Sequence, residues 1–162
     1  MEKLKASAQK VQDYLASRSL AISVRQLPDS TRTAADAAGA VGCDINQIAK
    51  SLVFKDEGTN EAVLVIASGP NRVDTKRIAI ETGRKLGRAD ADFVRQKTGF
   101  AIGGVPPFAH PERIHTILDQ DLRDLGKIWA AAGTPNALFE ISPGELQHLT
   151  NGTWMNIAER IS

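Results

Sequence analysis

The chain has 162 residues, 42% of them hydrophobic, which is enough for a core and too apolar for a disordered segment. Its 20 Lys and Arg against 19 Asp and Glu leave a net charge of +1, so there is no global signature of a nucleic-acid binder. The single cysteine, Cys43, excludes an internal disulfide and fits a reducing, cytoplasmic setting, and no run approaches the roughly 18 apolar residues that a membrane span needs. The start, Met1-Glu2-Lys3-Leu4-Lys5, does not lead into the apolar stretch of a signal peptide. This length suits one domain over 1–162, opening on a helix at about 3–17.

Leu4, Ala8, Val11 and Leu15 recur at helical spacing and predict an amphipathic helix. Residues 21–27 (AISVRQL) alternate and predict a strand closed by Pro28. The alanine-rich segment 33–40 has Thr33 to cap it and Gly42 to end it. One helical turn over 44–49 leads into a strand over 50–55. A polar loop at 56–60 then joins it to a second strand, 61–68, as a hairpin. The unbroken apolar run of that second strand predicts burial on both faces. Asp74 and Asp90 each cap a short helix, with Ile78 on the core face of the first and Phe93 and Val94 in the second. Further strands are predicted over 114–118, 127–132, 137–141 and 153–157. Ser142-Pro143-Gly144-Glu145 is a helix start with a capping box. The elements intermix without βαβ alternation, so the expected fold is α+β, with a mixed, barrel-like β-sheet and flanking helices.

The stretch Thr98 to His110 stands out: Phe100-Ala101-Ile102 runs into Gly103-Gly104, then Val105-Pro106-Pro107-Phe108-Ala109. Glycine lets another molecule approach the backbone, and proline stiffens the chain around it. Two readings stay open: a tight turn leaving a strand, or a loop that aims N–H donors at a carbonyl or phosphate oxygen. Lys50, flanked by Ile48, Ala49, Leu52 and Val53, either snorkels at the surface or holds its ammonium over a cleft. The segment 72–97 is rich in Arg and Lys, whereas 119–124 is acidic. The basic segment either tracks a phosphate backbone or is a solvated helix face. Trp129 and Trp154 read as core, and Cys43 as a small packing residue. His110, His115 and His148 show no metal-ligand spacing, and neither a nucleophile elbow nor a standard nucleotide loop is present. Nothing in the pattern asks for a metal or a cofactor.

Three segments together resemble the YbaK-like family of free-standing aminoacyl-tRNA editing proteins, related to the editing domain of bacterial prolyl-tRNA synthetase. They are residues 47–54 (QIAKSLVF), 98–108 (TGFAIGGVPPF) and 132–137 (AGTPNA), within a similarity spanning about 23 to the C-terminus. The resemblance implies hydrolysis of the ester that joins a wrong amino acid to the 3′-terminal adenosine of a tRNA. The substrate would be a small amino acid on tRNA(Pro) or a related tRNA. It places the key lysine at Lys50, the first glycine element at Gly103 through Pro107, and the second at Gly133-Thr134-Pro135. Amides near Gly103, Gly104 and Gly133 would bind the carbonyl oxygen, water would be the nucleophile, and no cofactor is implied. Phe100, Ser51, Val105, Pro106, Pro107 and His110 would complete the binding pocket, with Asp44 and the residues before Lys50 framing one wall.

This chain departs from the pattern twice. Ser51 stands where some relatives have a ribose-touching asparagine, and Ala109-His110 stand where many have glycine. The expected partners are the aminoacyl-tRNA 3′ end and an aminoacyl-tRNA synthetase, with no membrane. The competing readings are a non-catalytic module that holds the aminoacyl-tRNA end, and an unrelated α+β domain whose glycines only turn corners.

Overall fold

The computed structural model describes residues 3–28 and 33–160; residues 1–2, 29–32 and 161–162 lie outside it, including Met1 and Glu2 of the amino-terminal stretch. Among the described residues, five α-helices flank one eight-stranded mixed sheet, an α+β architecture. In chain order these are α1 (Ala6–Ser17), β1 (Arg25–Gln26), α2 (Ala34–Val41), β2 (Ile48–Asp56), β3 (Ala62–Ser68), α3 (Thr75–Thr82) and β4 (Leu86–Arg88). Then come α4 (Ala91–Thr98), β5 (His115–Asp119), β6 (Ile128–Ala131), β7 (Ala137–Ile141), α5 (Pro143–Thr150) and β8 (Thr153–Met155). The ladder runs β1-β7-β6-β2-β3-β5-β8, and β4 joins β2 from the side.

The helix ends obey the local chemistry. Thr33, Asp74, Asp90 and Ser142 each accept a hydrogen bond from the N–H three residues on, and Gly42, Gly83 and Gly99 end α2, α3 and α4 in the left-handed region. Each such N-cap contributes about 1 kcal/mol. All seven residues of β3 are buried, as their apolar run requires. Leu64 and Ile66 join the large core with Ala8, Val11 and Leu15 of α1. On the other face, Val63, Val65 and Ala67 pack with Ile78 of α3 and with Ile157. Cutting a buried Leu or Ile here back to alanine costs about 2–5 kcal/mol.

β2 organises the functional side of the molecule. One edge pairs with β3 from Ala49 to Lys55. The other edge is shared: Ile48 and Ala49 pair with β6, whereas Phe54, Lys55 and Asp56 pair with β4. Between these two contacts, Lys50 to Val53 has no strand beside it on that edge among the described residues. A sheet that parts around one strand leaves a hollow and unpaired backbone groups, which is a natural place for a ligand.

Four expectations need correction. The strand predicted over 21–27 shrinks to β1, because the Gln12 side chain takes the backbone instead: its Nε2 donates to Ile22 O and its Oε1 accepts from Val24 N–H. β4 has no counterpart among the predicted elements; three residues with a central glycine show no alternation. The last strand stops at Met155, after which Ile157 O accepts from Asp74 N–H and Ala158 bridges Val73. No strand precedes Gly103, since the loop leaves directly from the C-cap of α4.

Candidate active site

Lys50 lies opposite Ala67 on the ladder, on the same face as Leu52 and Phe54. It is half-buried, and burial first and the Arg72 charge second push its pKa below that of an ordinary lysine, with Asp119 pulling the other way. Its neighbour Ser51 lies opposite Ile66 and so points to the other face. The Ser51 Oγ is buried and has no hydrogen-bond partner. At the open edge of β2 both residues border one cavity of about 650 Å³, whose walls also include Gly103, Val105, Trp129 and Pro135.

The long loop after α4 brings its first half to this cavity. Gly103 has φ +95° with open space where a Cβ would stand, and it is exposed. Its N–H makes no hydrogen bond among the described residues. Gly104 has a different task. Its N–H donates to Ala101 O at 3.2 Å, and a Cβ there would come within 2.8 Å of Thr134 Cα. The two glycine elements therefore touch backbone to backbone. Gly133, at φ +93°, lies against α1, where a Cβ would come within 2.6 Å of Ser7 O.

Lys50, Ser51, Gly103, Val105 and Pro135 thus share one hollow, and Ile48 and Ala49 supply wall before the lysine. Gly104, Gly133, Thr134, Pro106 and Phe100 do not line it. Phe100 is buried beneath the Lys10 ammonium, 4.8 Å from its ring centroid, and Pro106 O is 2.8 Å from His110 Nε2. Pro107 and His110 instead face a second cavity of about 690 Å³, between α1, the 107–114 loop and α5. His110 is partly buried there, and burial lowers its pKa against the opposing pull of the Pro106 carbonyl. Asp44 lines neither cavity; it forms a capping box with Gln47.

Sequence reasoning missed Ile102, Arg88 and Thr75 as cavity residues, and it gives Trp129 only a core role. Trp129 is indeed buried against α2, but its parallel pairing opposite Ile48 also brings it to the cavity. That pairing joins strands some eighty residues apart, and no local pattern reveals it. Asp119, part of an acidic run, is fully buried, and its carboxylate accepts from Ser68 N–H and Asn71 Nδ2. Among the described residues, no group of three or more His, Cys, Asp or Glu side chains converges to hold a metal.

A half-buried cation, a free backbone donor and an unpartnered hydroxyl around one hollow suit a hydrolase that works by positioning and charge stabilisation rather than by a protein nucleophile. The family model of the aminoacyl-tRNA editing domain matches residues 28–149. The chain belongs to that family, and its class is aminoacyl-tRNA deacylase. A crystal structure described as "a putative trans-editing enzyme for prolyl tRNA synthetase" is 44% identical, covers 98% of this chain and all of its own, and superposes with a TM-score of 0.91. The Bacillus subtilis protein YwhH, called uncharacterized, is 30% identical over 84% of this chain and 87% of its own length. The Enterococcus faecalis protein named "Putative Cys-tRNA(Pro)/Cys-tRNA(Cys) deacylase EbsC" is 26% identical over 79% of this chain and 78% of its own.

Proposed function

We propose that the cavity at the open edge of β2 receives the aminoacylated 3′ end of a mischarged tRNA, that of tRNA(Pro) or a close relative, and hydrolyses its ester. The observation that carries this reading is the single hollow bordered by Lys50, Ser51 and Gly103, where the sheet parts between β6 and β4. Water attacks the ester carbonyl carbon. The Gly103 N–H and the Lys50 ammonium stabilise the charge that develops on the carbonyl oxygen. The bond to the ribose oxygen then breaks, that oxygen takes up a proton, and a free amino acid and a deacylated tRNA leave. A hydroxyl of the terminal ribose orients the water. Amide and ammonium donors of this kind act where charge develops, and each is worth about 10²–10³ in rate.

The walls contributed by Val53, Val94, Val105 and Leu138 are apolar, which suits a small uncharged amino acid. A proline-sized synthetase pocket cannot reject such residues by binding alone, which is the reason an editing step exists. Likeness to the protein described as a trans-editing enzyme for prolyl tRNA synthetase supports the proline system, with that synthetase as the cytoplasmic partner. Residues 1–162 would act as one editing domain.

The test is a panel of tRNA(Pro) charged with alanine, cysteine, serine or threonine beside correctly charged Pro-tRNA(Pro). Release of at least one small amino acid with the cognate ester spared is expected. No release from any of them would turn the cavity into a holding site rather than a catalytic one.

A further inference from the structure

We infer that the strip formed by Lys55 and Lys97 over Phe93 carries the sugar–phosphate backbone of the RNA strand whose 3′ end occupies the cavity; this deepens, and rests on, the function proposed above. Val53 of β2 lines the cavity and shares its face of the sheet with Lys55, two residues on, whereas Arg88 of β4 pairs with Phe54 and so belongs to the opposite face. Lys55, the next residue of β2, pairs with Gly87. Two short steps along α4 connect these residues to Lys97. Val94 lines the cavity, and Phe93 beside it lies under two ammonium groups, Lys55 Nζ at 5.4 Å and Lys97 Nζ at 5.8 Å from its ring centroid. Positive charge therefore continues from the rim of the hollow outward over one aromatic ring.

Three of the carboxylates nearby are committed elsewhere, and Asp92, exposed at the start of α4, pairs with neither lysine. Asp56 pairs with Arg84 at 2.9 Å, Glu57 with Lys85 at 3.4 Å, and Asp90 caps α4. Lys55 and Lys97 make no ion pair among the described residues. Two ammonium groups held over one ring repel each other, and a polyanion laid across them relieves that repulsion. A phosphate chain leading to the cavity is the anion that fits both the charge and the direction. The surrounding protein carries a net charge of only +1, so this attraction is local rather than a property of the whole surface.

Arg95 provides an internal control. It lies two residues from Phe93 on α4, hence on the far side of the helix, and it is also exposed. The experiment measures binding of uncharged tRNA(Pro) transcript by fluorescence anisotropy between 50 and 200 mM KCl, roughly the range in which phosphate contacts dominate salt dependence. Lys55→Gln/Lys97→Gln is expected to bind several-fold more weakly, with a salt slope shallower by about two. Lys55→Arg/Lys97→Arg is expected to restore binding, and Arg95→Gln to match the parent. With a mischarged tRNA that the parent cleaves, the double Gln variant should raise KM and spare kcat, while hydrolysis of a short aminoacyl-adenosine ester should be unaffected. Melting curves check that each variant is folded.

Unchanged affinity and slope in the double Gln variant would overturn the strip, as would an equal loss in Arg95→Gln. If the parent cleaves nothing, the proposed activity fails, yet the binding arm still decides whether RNA crosses this strip.

Discussion

Two cavities of nearly equal size, about 690 and 650 Å³, border the same loop from opposite ends, and they differ in what their polar groups are doing. In the larger one several groups are engaged with one another, although Glu112, Arg113 and His148 on its wall make no side-chain hydrogen bond or ion pair among the described residues. The Arg18 guanidinium lies 4.8 Å from the Tyr14 ring centroid, Tyr14 stacks on Phe108 at 5.0 Å, and Glu145 completes the capping box of α5. In the smaller one the groups contributed by β2 and by the first glycine are not engaged. Among the described residues, Lys50 has no ion pair, Ser51 Oγ has no partner, and the Gly103 N–H has no acceptor. Buried polar groups are nearly always satisfied in a folded protein, so the unpartnered Ser51 Oγ beside a half-buried ammonium is a reserve for a ligand. Volume does not separate the two hollows; what does is that the smaller one places a half-buried ammonium, a buried unpartnered hydroxyl and an open glycine amide at the gap in the sheet.

Lys50→Ala is the strongest attempt to break this contrast. Deacylation should fall by about 10²–10³ in kcat/KM. Arg18→Gln or His148→Gln in the larger cavity should stay within about twofold of the parent. Comparable losses on both sides would place the chemistry elsewhere. The pH profile adds a sign. Because the pKa of Lys50 is lowered, the ammonium is lost at a lower pH than in a free lysine, so activity should fall on the alkaline side below about pH 10.4. Between the lowered value and the unfolded one, the unfolded chain binds more protons. Stability should therefore rise with pH across that window in the parent, and this rise should vanish in Lys50→Ala.

The seam between the two hollows is the next target. Gly104 and Gly133 hold the loops together by backbone approach, whereas Gly103 faces open space. Gly133→Ala combines a clash against Ser7 O with a positive φ and should cost about 2–4 kcal/mol in urea unfolding. Gly103→Ala bears only the strain of its φ, about 1–2 kcal/mol, and should act mainly on rate. Equal stability losses would mean that the first loop, too, is structural.

Ser51→Ala sharpens the contrast in the opposite direction. Removing a buried hydroxyl that has no partner should stabilise the free protein by up to about 1 kcal/mol. If the hydroxyl serves the substrate, kcat/KM should nevertheless fall about tenfold, the cost of one lost hydrogen bond. A variant that is neither more stable nor slower would leave Ser51 with no role in the cavity.

Much of this is legible in the chain itself. Caps at Thr33, Asp74, Asp90 and Ser142 declare themselves through residue type and spacing, and the apolar run of β3 declares its burial. Lys50 and Gly103 stand out because their chemistry is unusual for their surroundings. The hidden part depends on contacts between distant segments. The gap in β2 exists only because β6 and β4 dock at its two ends. Gly104 and Gly133 resemble oxyanion donors because glycine signals backbone access without saying to what, and here the visitors are Thr134 and Ser7. Residues 21–24 alternate like a strand, yet one glutamine side chain satisfies two of their backbone groups.

The mildest test lies in the larger cavity. Ala109 sits at φ +69°, in the left-handed region, where a Cβ is costly and glycine is at ease. The backbone therefore holds a conformation that the side chain here disfavours. Ala109→Gly relieves that strain but gives the unfolded chain more freedom, and the two effects partly cancel. The expected net gain is at most about 1 kcal/mol, read as a small upward shift in melting temperature. Because Ala109 borders the other hollow, away from Lys50, Ser51 and Gly103, deacylation should be unchanged. A rate change without a stability change would tie the second half of the loop to the chemistry after all, through its covalent continuity with Gly103.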